Sequence, residues 1–215
     1  MSKLFDLDSP VIQTLNKLAD LIILNILVLI SCIPIVSIGA SQVALYEVTR
    51  KLTRDEGTLW RNYWSAFRSN FKQATIVWLF FICGSILILF CVRYYLHTFG
   101  TGTSLLITIL FIVSAFWLFA LSWVFPLQSK FENKVKDTIS NAFKCSFFYI
   151  PRTVAMTLIN FIPFVLLMLN PPIFFMIGPV WLFLWFSLAA RINWKLLKKP
   201  FSVLEDLSKG ADSTN

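Results

Sequence analysis

Five stretches of this chain, at about 18–38, 75–92, 104–126, 154–169 and 173–190, are apolar over long runs, and Asp20 is the one charged side chain within them. A helix needs roughly 20 such residues to cross about 30 Å of hydrocarbon, and four of the runs hold roughly 18 or more. The runs are continuous rather than alternating, which argues against the two-residue period of barrel strands. Charged residues make up only 14% of the 215, and mean hydropathy is +0.73. That is too little charge to clothe a water-soluble domain of this size. The expected fold is all-α: a polytopic transmembrane helix bundle of about five spans, forming a single integral membrane domain over 1–215.

Nothing at the N-terminus reads as a cleavable signal, because MSKLFDLDSPVIQ has acids where cations belong. Ser2 and the terminal DSTN fit no lipidation signal. Cys32, Cys83, Cys91 and Cys145 show no CxxC spacing and read as packing thiols rather than metal ligands or a disulfide framework.

The distribution of cations sets an orientation. Arg50, Lys51, Arg54, Arg61, Arg68 and Lys72 separate the first two runs, and Lys130, Lys134, Lys136, Lys144 and Arg152 separate the third and fourth. Arg191, Lys195, Lys198, Lys199 and Lys209 follow the last, whereas Lys3, Lys17 and Arg93 fall on the other side. The positive-inside rule makes the heavily basic side cytoplasmic, with the C-terminus, and five crossings leave the N-terminus outside. Should the segment around Pro34 re-enter instead of crossing, the N-terminus would be cytoplasmic. The net charge of +8 is then explained by contact with an anionic inner leaflet rather than by nucleic acid.

Two basic connections carry amphipathic patterns, at 58–72 and 129–147. In the first, Trp60, Tyr63, Trp64, Phe67 and Phe71 recur at helical spacing opposite Arg61, Arg68 and Lys72. In the second, Ser129 and Glu132 have capping-box spacing ahead of a stripe that includes Phe131, Phe143 and Phe147. SAFRSNF at 65–71 and NAFKCSF at 141–147 form a weak repeat. Each segment is expected to lie in the inner interface, aromatics down and cations toward lipid phosphate. The same helices offer a docking surface for a cytoplasmic partner such as a transport ATPase. Its candidate residues are Trp60, Trp64, Phe67, Arg68, Phe71, Phe143, Lys144 and Phe147. Asp55 and Glu56 in TRDEG are expected to begin the helix that follows them.

Polar groups within the spans draw attention because hydrocarbon penalises them. Asp20 has two candidate partners, Lys17 on its own helix and Arg93 across the outer boundary. Asn25 and Asn160 either line a polar path or form interhelical hydrogen bonds. SCIPIVSIGAS places Pro34 in the helical path, followed by Ser37, Gly39, Ala40 and Ser41. The small residues permit close helix approach around a bend, and a broken helix that binds solute is the alternative. No catalytic, cofactor-binding or metal-binding motif accompanies them: His97 stands alone, and there is no HExxH, GxSxG or phosphate-binding glycine loop.

The ordered blocks FDLDSP, DLIILN, PIVSIGAS, ALYEVTRKL, RDEG and SNFKQ, over roughly 5–75, closely resemble the YesL-like bacterial integral membrane proteins. Members of that family are commonly encoded beside carbohydrate ABC transporters and glycan-degrading enzymes in Gram-positive bacteria. The resemblance therefore implies a non-enzymatic accessory or scaffold role in carbohydrate uptake, with ABC transporter subunits or further copies of the chain as partners. It supplies no catalytic residues. A small transporter or permease in its own right is the alternative, with Asp20, Pro34, Asn25 and Asn160 along its path.

Overall fold

The computed structural model describes residues 10–52, 58–99 and 105–212, and every regular element among them is helical. Asp55, Glu56 and the N-terminal tail lie outside the described residues. Helix α1 spans Pro10–Ser31 and α2 Ile38–Leu52, with a single 3₁₀ turn, Ile35–Ser37, between them. Then come α3 (Leu59–Phe99), α4 (Leu105–Lys130), α5 (Val135–Phe148) and α6 (Ile150–Leu169). The short α7 (Pro171–Met176) and α8 (Gly178–Val180) lead through a π-helical turn, Trp181–Trp185, into α9 (Phe186–Asp212).

The run expected to form one bent span at 18–38 breaks after Ser31 and passes through the 3₁₀ turn to the start of α2 at Ile38. Proline lacks an amide hydrogen and steers the residue before it away from helical backbone. Pro34 therefore sits at φ −75°, ψ 118°, outside any helix. Pro34 ends the path instead of bending it. Ser37, Gly39, Ala40 and Ser41 accordingly belong to the turn and to α2, not to the first span.

Helix α2 lies along the N-terminal half of α3. A Cβ on Gly39 would fall 2.5 Å from the Ala74 carbonyl oxygen and 2.7 Å from Trp78 Cβ, so glycine sets the distance between the two helices. Ala40, Val43, Ala44 and Val48 continue this buried face.

Two connections also differ from expectation. Residues 58–72 are no separate interfacial helix, because they run without a break into the apolar 75–92 stretch. The combined α3 has 41 residues. At 1.5 Å per residue it is about 60 Å long, twice the hydrocarbon thickness. In the second connection the capping box does not form. Ser129 lies in the last turns of α4 and donates to the Pro126 carbonyl, while Lys134 occupies the N-cap of α5. The fifth run is also divided, since Pro171-Pro172 and Pro179 each open a new short helix. Among the described residues four helices, α1 (from Thr14), α3, α4 and α6, are long and apolar enough to cross a membrane.

The bundle has two zones. Tyr63, Phe81, Trp123, Leu127, Met156, Leu197 and Phe201 lie in a buried core shared by α3, α4, α6 and α9. By contrast, the C-terminal half of α3, the N-terminal half of α4 and α6 from Leu158 to Leu169 expose Ile86, Leu89, Phe111, Leu158 and Met168, the last to 84%. In the apolar windows of these three helices only 11% of residues are buried inside the protein, so lipid is the solvent that suits their surface.

Gly39→Val should weaken the bundle by roughly 1–3 kcal/mol through overpacking against backbone that cannot yield. Gly178→Ala, where nothing lies within 4 Å, should leave packing intact. Thermal unfolding midpoints in detergent compare the two.

Candidate functional site

Interrupting a helix inside an apolar protein frees carbonyl groups that must find donors. At the α1–α2 junction the protein supplies them. Ser37 Oγ lies 2.6 Å from the Ser31 oxygen and 2.7 Å from the Pro34 oxygen, sharing its hydroxyl hydrogen between them. Trp78 Nε1 donates to the Ile35 oxygen at 2.8 Å, and Thr75 Oγ1 to the Val36 oxygen at 3.3 Å. Ser41 Oγ donates to the Ser37 oxygen at 3.0 Å. The Ser31, Pro34, Ile35, Val36 and Ser37 carbonyls at this break thus already carry partners from the turn, α2 and α3.

The two candidate asparagines are both engaged by the last helical stretch. Asn25, fully buried on α1, accepts at 3.0 Å from the backbone amide of Ser187, just beyond the π turn. A widened turn takes local amides out of the regular i→i−4 ladder, and a side-chain carbonyl from a neighbouring helix is a suitable acceptor there. Asn160 on α6 accepts at 2.8 Å from Asn193 Nδ2, which also donates to Tyr46 OH at 3.1 Å. Tyr46, Asn160 and Asn193 thus join α2, α6 and α9 through one polar node. Asn25 and Asn160 do not meet each other.

Asp20 is half-buried on α1, and among the described residues no ion pair joins it to Lys17 or Arg93. The described residues also contain no group of three or more His, Cys, Asp or Glu side chains able to hold a metal.

The partner-facing candidates divide by exposure. Tyr63 is buried in the core, and Trp64, Phe67 and Phe143 pack against it, with Phe143 stacked on Phe81 at 6.4 Å. Trp60, exposed to 61%, faces outward, as do Phe71 and Phe147. Arg61, Arg68, Lys72 and Lys144 are exposed beside them. A single aromatic stripe therefore serves the core along one edge and the surface along the other.

Sequence reasoning missed Tyr46, Ser187 and Asn193. Asn193 lies beyond the expected end of the last span at 190, outside the apolar run in which a polar group stands out. Its signal is the buried face of α9, where Ser187, Ala190, Trp194, Leu197 and Phe201 recur at three- and four-residue intervals around it.

Residues 21–92 match the family model described as Protein of unknown function, DUF624. No curated protein and no solved structure matches the chain. The matched segment covers the C-terminal half of α1, the Pro34 junction, α2 and α3 as far as Val92, which is the unit held by the carbonyl contacts above.

Burial pushes the Tyr46 phenol up to about 12, with the Asn193 hydrogen bond acting in the opposite direction. The folded state keeps this proton above the pH at which an unfolded tyrosine, near 10, releases it. The contribution is complete below pH 10 and is lost as pH rises toward about 12. Alkaline unfolding of the wild type should steepen across that interval, and Tyr46→Phe should flatten the slope.

Proposed function

We propose that this protein is a non-enzymatic accessory or scaffold component of a carbohydrate uptake system, with oligosaccharide as the transported class. It sits in the cell membrane with its basic connections and C-terminus in the cytoplasm. In this arrangement α1, α3, α4 and α6 cross, the stretch from Gly178 through the π turn returns, and the N-terminus lies outside. The cation distribution supports that orientation.

The observation that carries the partner reading is the outward edge of α3. Trp60 and Phe71 are exposed beside Arg61, Arg68 and Lys72, on the basic half of a helix about twice as long as the hydrocarbon layer is thick. Exposed tryptophan and arginine are the side chains that most often anchor protein interfaces. The choice of a carbohydrate ABC transporter as partner rests on the resemblance to YesL-like proteins, for which DUF624 is the family name. The permease reading draws less support, because the carbonyls at the Pro34 break and the amides of Asn25 and Asn160 are already bonded within the protein.

Purification in mild detergent from a native membrane should bring transporter subunits with the wild-type chain. Trp60→Ala combined with Arg68→Glu should reduce their recovery roughly tenfold or more, as expected for loss of an interface anchor, without moving the unfolding midpoint. Sugar uptake should fall when the gene is deleted. A wild-type chain that purifies alone, together with unchanged uptake in the deletion strain, would overturn the proposal.

A further inference from the structure

Along α5, Asn141, Lys144, Cys145 and Phe148 stand at i, i+3, i+4 and i+7, which places them on one stripe. The stripe walls a cleft of about 540 Å³ between α5, the end of α4 and α9. Leu127, Phe131 and Leu204 give it an apolar interior, and Asn133, in the α4–α5 connection, stands at its edge.

Three donors line this cleft with no partner of their own. The side chains of Asn133, Asn141 and Lys144 make no hydrogen bond or ion pair among the described residues. Carboxylates do not compensate them. Glu132 and Asp137 are outside the lining, and Glu205 is engaged by Lys130 at 2.8 Å. Burial pushes the Cys145 thiol up to about 11, so it stays protonated and adds no negative charge. A second cation adjoins, because the Arg152 guanidinium lies 5.5 Å from the ring centre of Tyr149, another lining residue. The site suits an anion with several acceptor oxygens.

The surroundings suit something longer than an anion. Phe148, one turn beyond Lys144, is 76% exposed, and Phe147 and Ile150 are exposed beside it. From there the apolar surface continues onto α6 through Val154 and Leu158, both exposed. A hydrocarbon chain attached to an anion at Lys144 can follow this track onto the lipid-facing surface of α6. An acidic peptide would leave the track uncovered.

We infer that the cleft binds one anionic phospholipid. Its phosphate sits against Lys144, Asn141 and Asn133, and an acyl chain lies along Phe148 and Ile150 toward α6. The inference is independent of the uptake reading, because it requires no protein partner.

Native mass spectrometry of the full chain in nonionic detergent, titrated with phosphatidylglycerol and with phosphatidylcholine of the same chains, tests it. One phosphatidylglycerol per chain should be retained about five- to tenfold more tightly than phosphatidylcholine, the scale expected for one or two cations at a lipid surface. Lys144→Ala with Asn141→Ala should erase the preference, and Phe148→Ala should weaken both lipids. Lys198→Ala, on the exposed face of α9, should change nothing. Lys144 and Phe148 are exposed, so unchanged unfolding midpoints should accompany these losses. Equal retention of the two lipids, or a preference that survives the double substitution, would overturn the assignment. So would displacement of phosphatidylglycerol by an equal concentration of inorganic phosphate or of an acidic peptide.

Discussion

The proline-broken junction between α1 and α2 holds because its Ser31, Pro34, Ile35 and Val36 carbonyls receive donors from the protein itself. Ser37 serves the end of α1, while Thr75 and Trp78 reach across from α3 to the 3₁₀ turn. Both α3 donors lie beside the point where Gly39 lets α2 come within contact of the Ala74 backbone. Close approach and polar satisfaction thus depend on each other: a larger side chain at position 39 would move Trp78 away from the Ile35 carbonyl. In an apolar surrounding an unmet carbonyl costs several kcal/mol, so neither element tolerates loss of the other.

The molecule has a packed zone and a lipid-facing zone. In the first, aromatic rings and short hydrogen bonds hold the helices together. Trp123, for example, donates to Thr153 at 2.7 Å while its ring stacks on Tyr149 at 5.8 Å. In the second, α3, α4 and α6 expose most of their apolar surface. Hydrocarbon solvates such surface as readily as another helix does, so burial between these segments gains little. The cleft on α5 and the outward edge of α3 both adjoin the packed zone, where cations and aromatics share one surface. Function is therefore best sought at this basic end, with the apolar helices holding it at the membrane.

Much of the architecture was legible in the chain. The uncharged runs announced helices and a membrane, and the Ser-Gly-Ala face announced a close helix contact. Tertiary structure overrode local pattern in three places. Residues 58–72 have the amphipathic signature of a separate helix, yet Tyr63 and Ala66 are buried in the core and the segment continues as α3 into the apolar stretch. Ser129 and Glu132 have capping-box spacing, but Ser129 is claimed by α4, whose final turns are buried. The apolar run at 173–190 has the pattern of one span, although its helical course is divided after Met176, where Gly178 and Pro179 open a new helix. Asn193 was invisible as a polar node because nothing local to it shows that Tyr46 and Asn160, far away in sequence, converge on it.

By itself the sequence determined helical class, apolar length and the clustering of cations between the apolar runs, because each follows from composition and period along one segment. Only the tertiary structure decided which helix receives the small face of α2 and which carbonyls the Pro34 break leaves satisfied. It also decided which aromatics turn inward and that three unpaired donors share one cleft. Such properties depend on distances between residues remote in the chain, and no periodicity within a single helix encodes them.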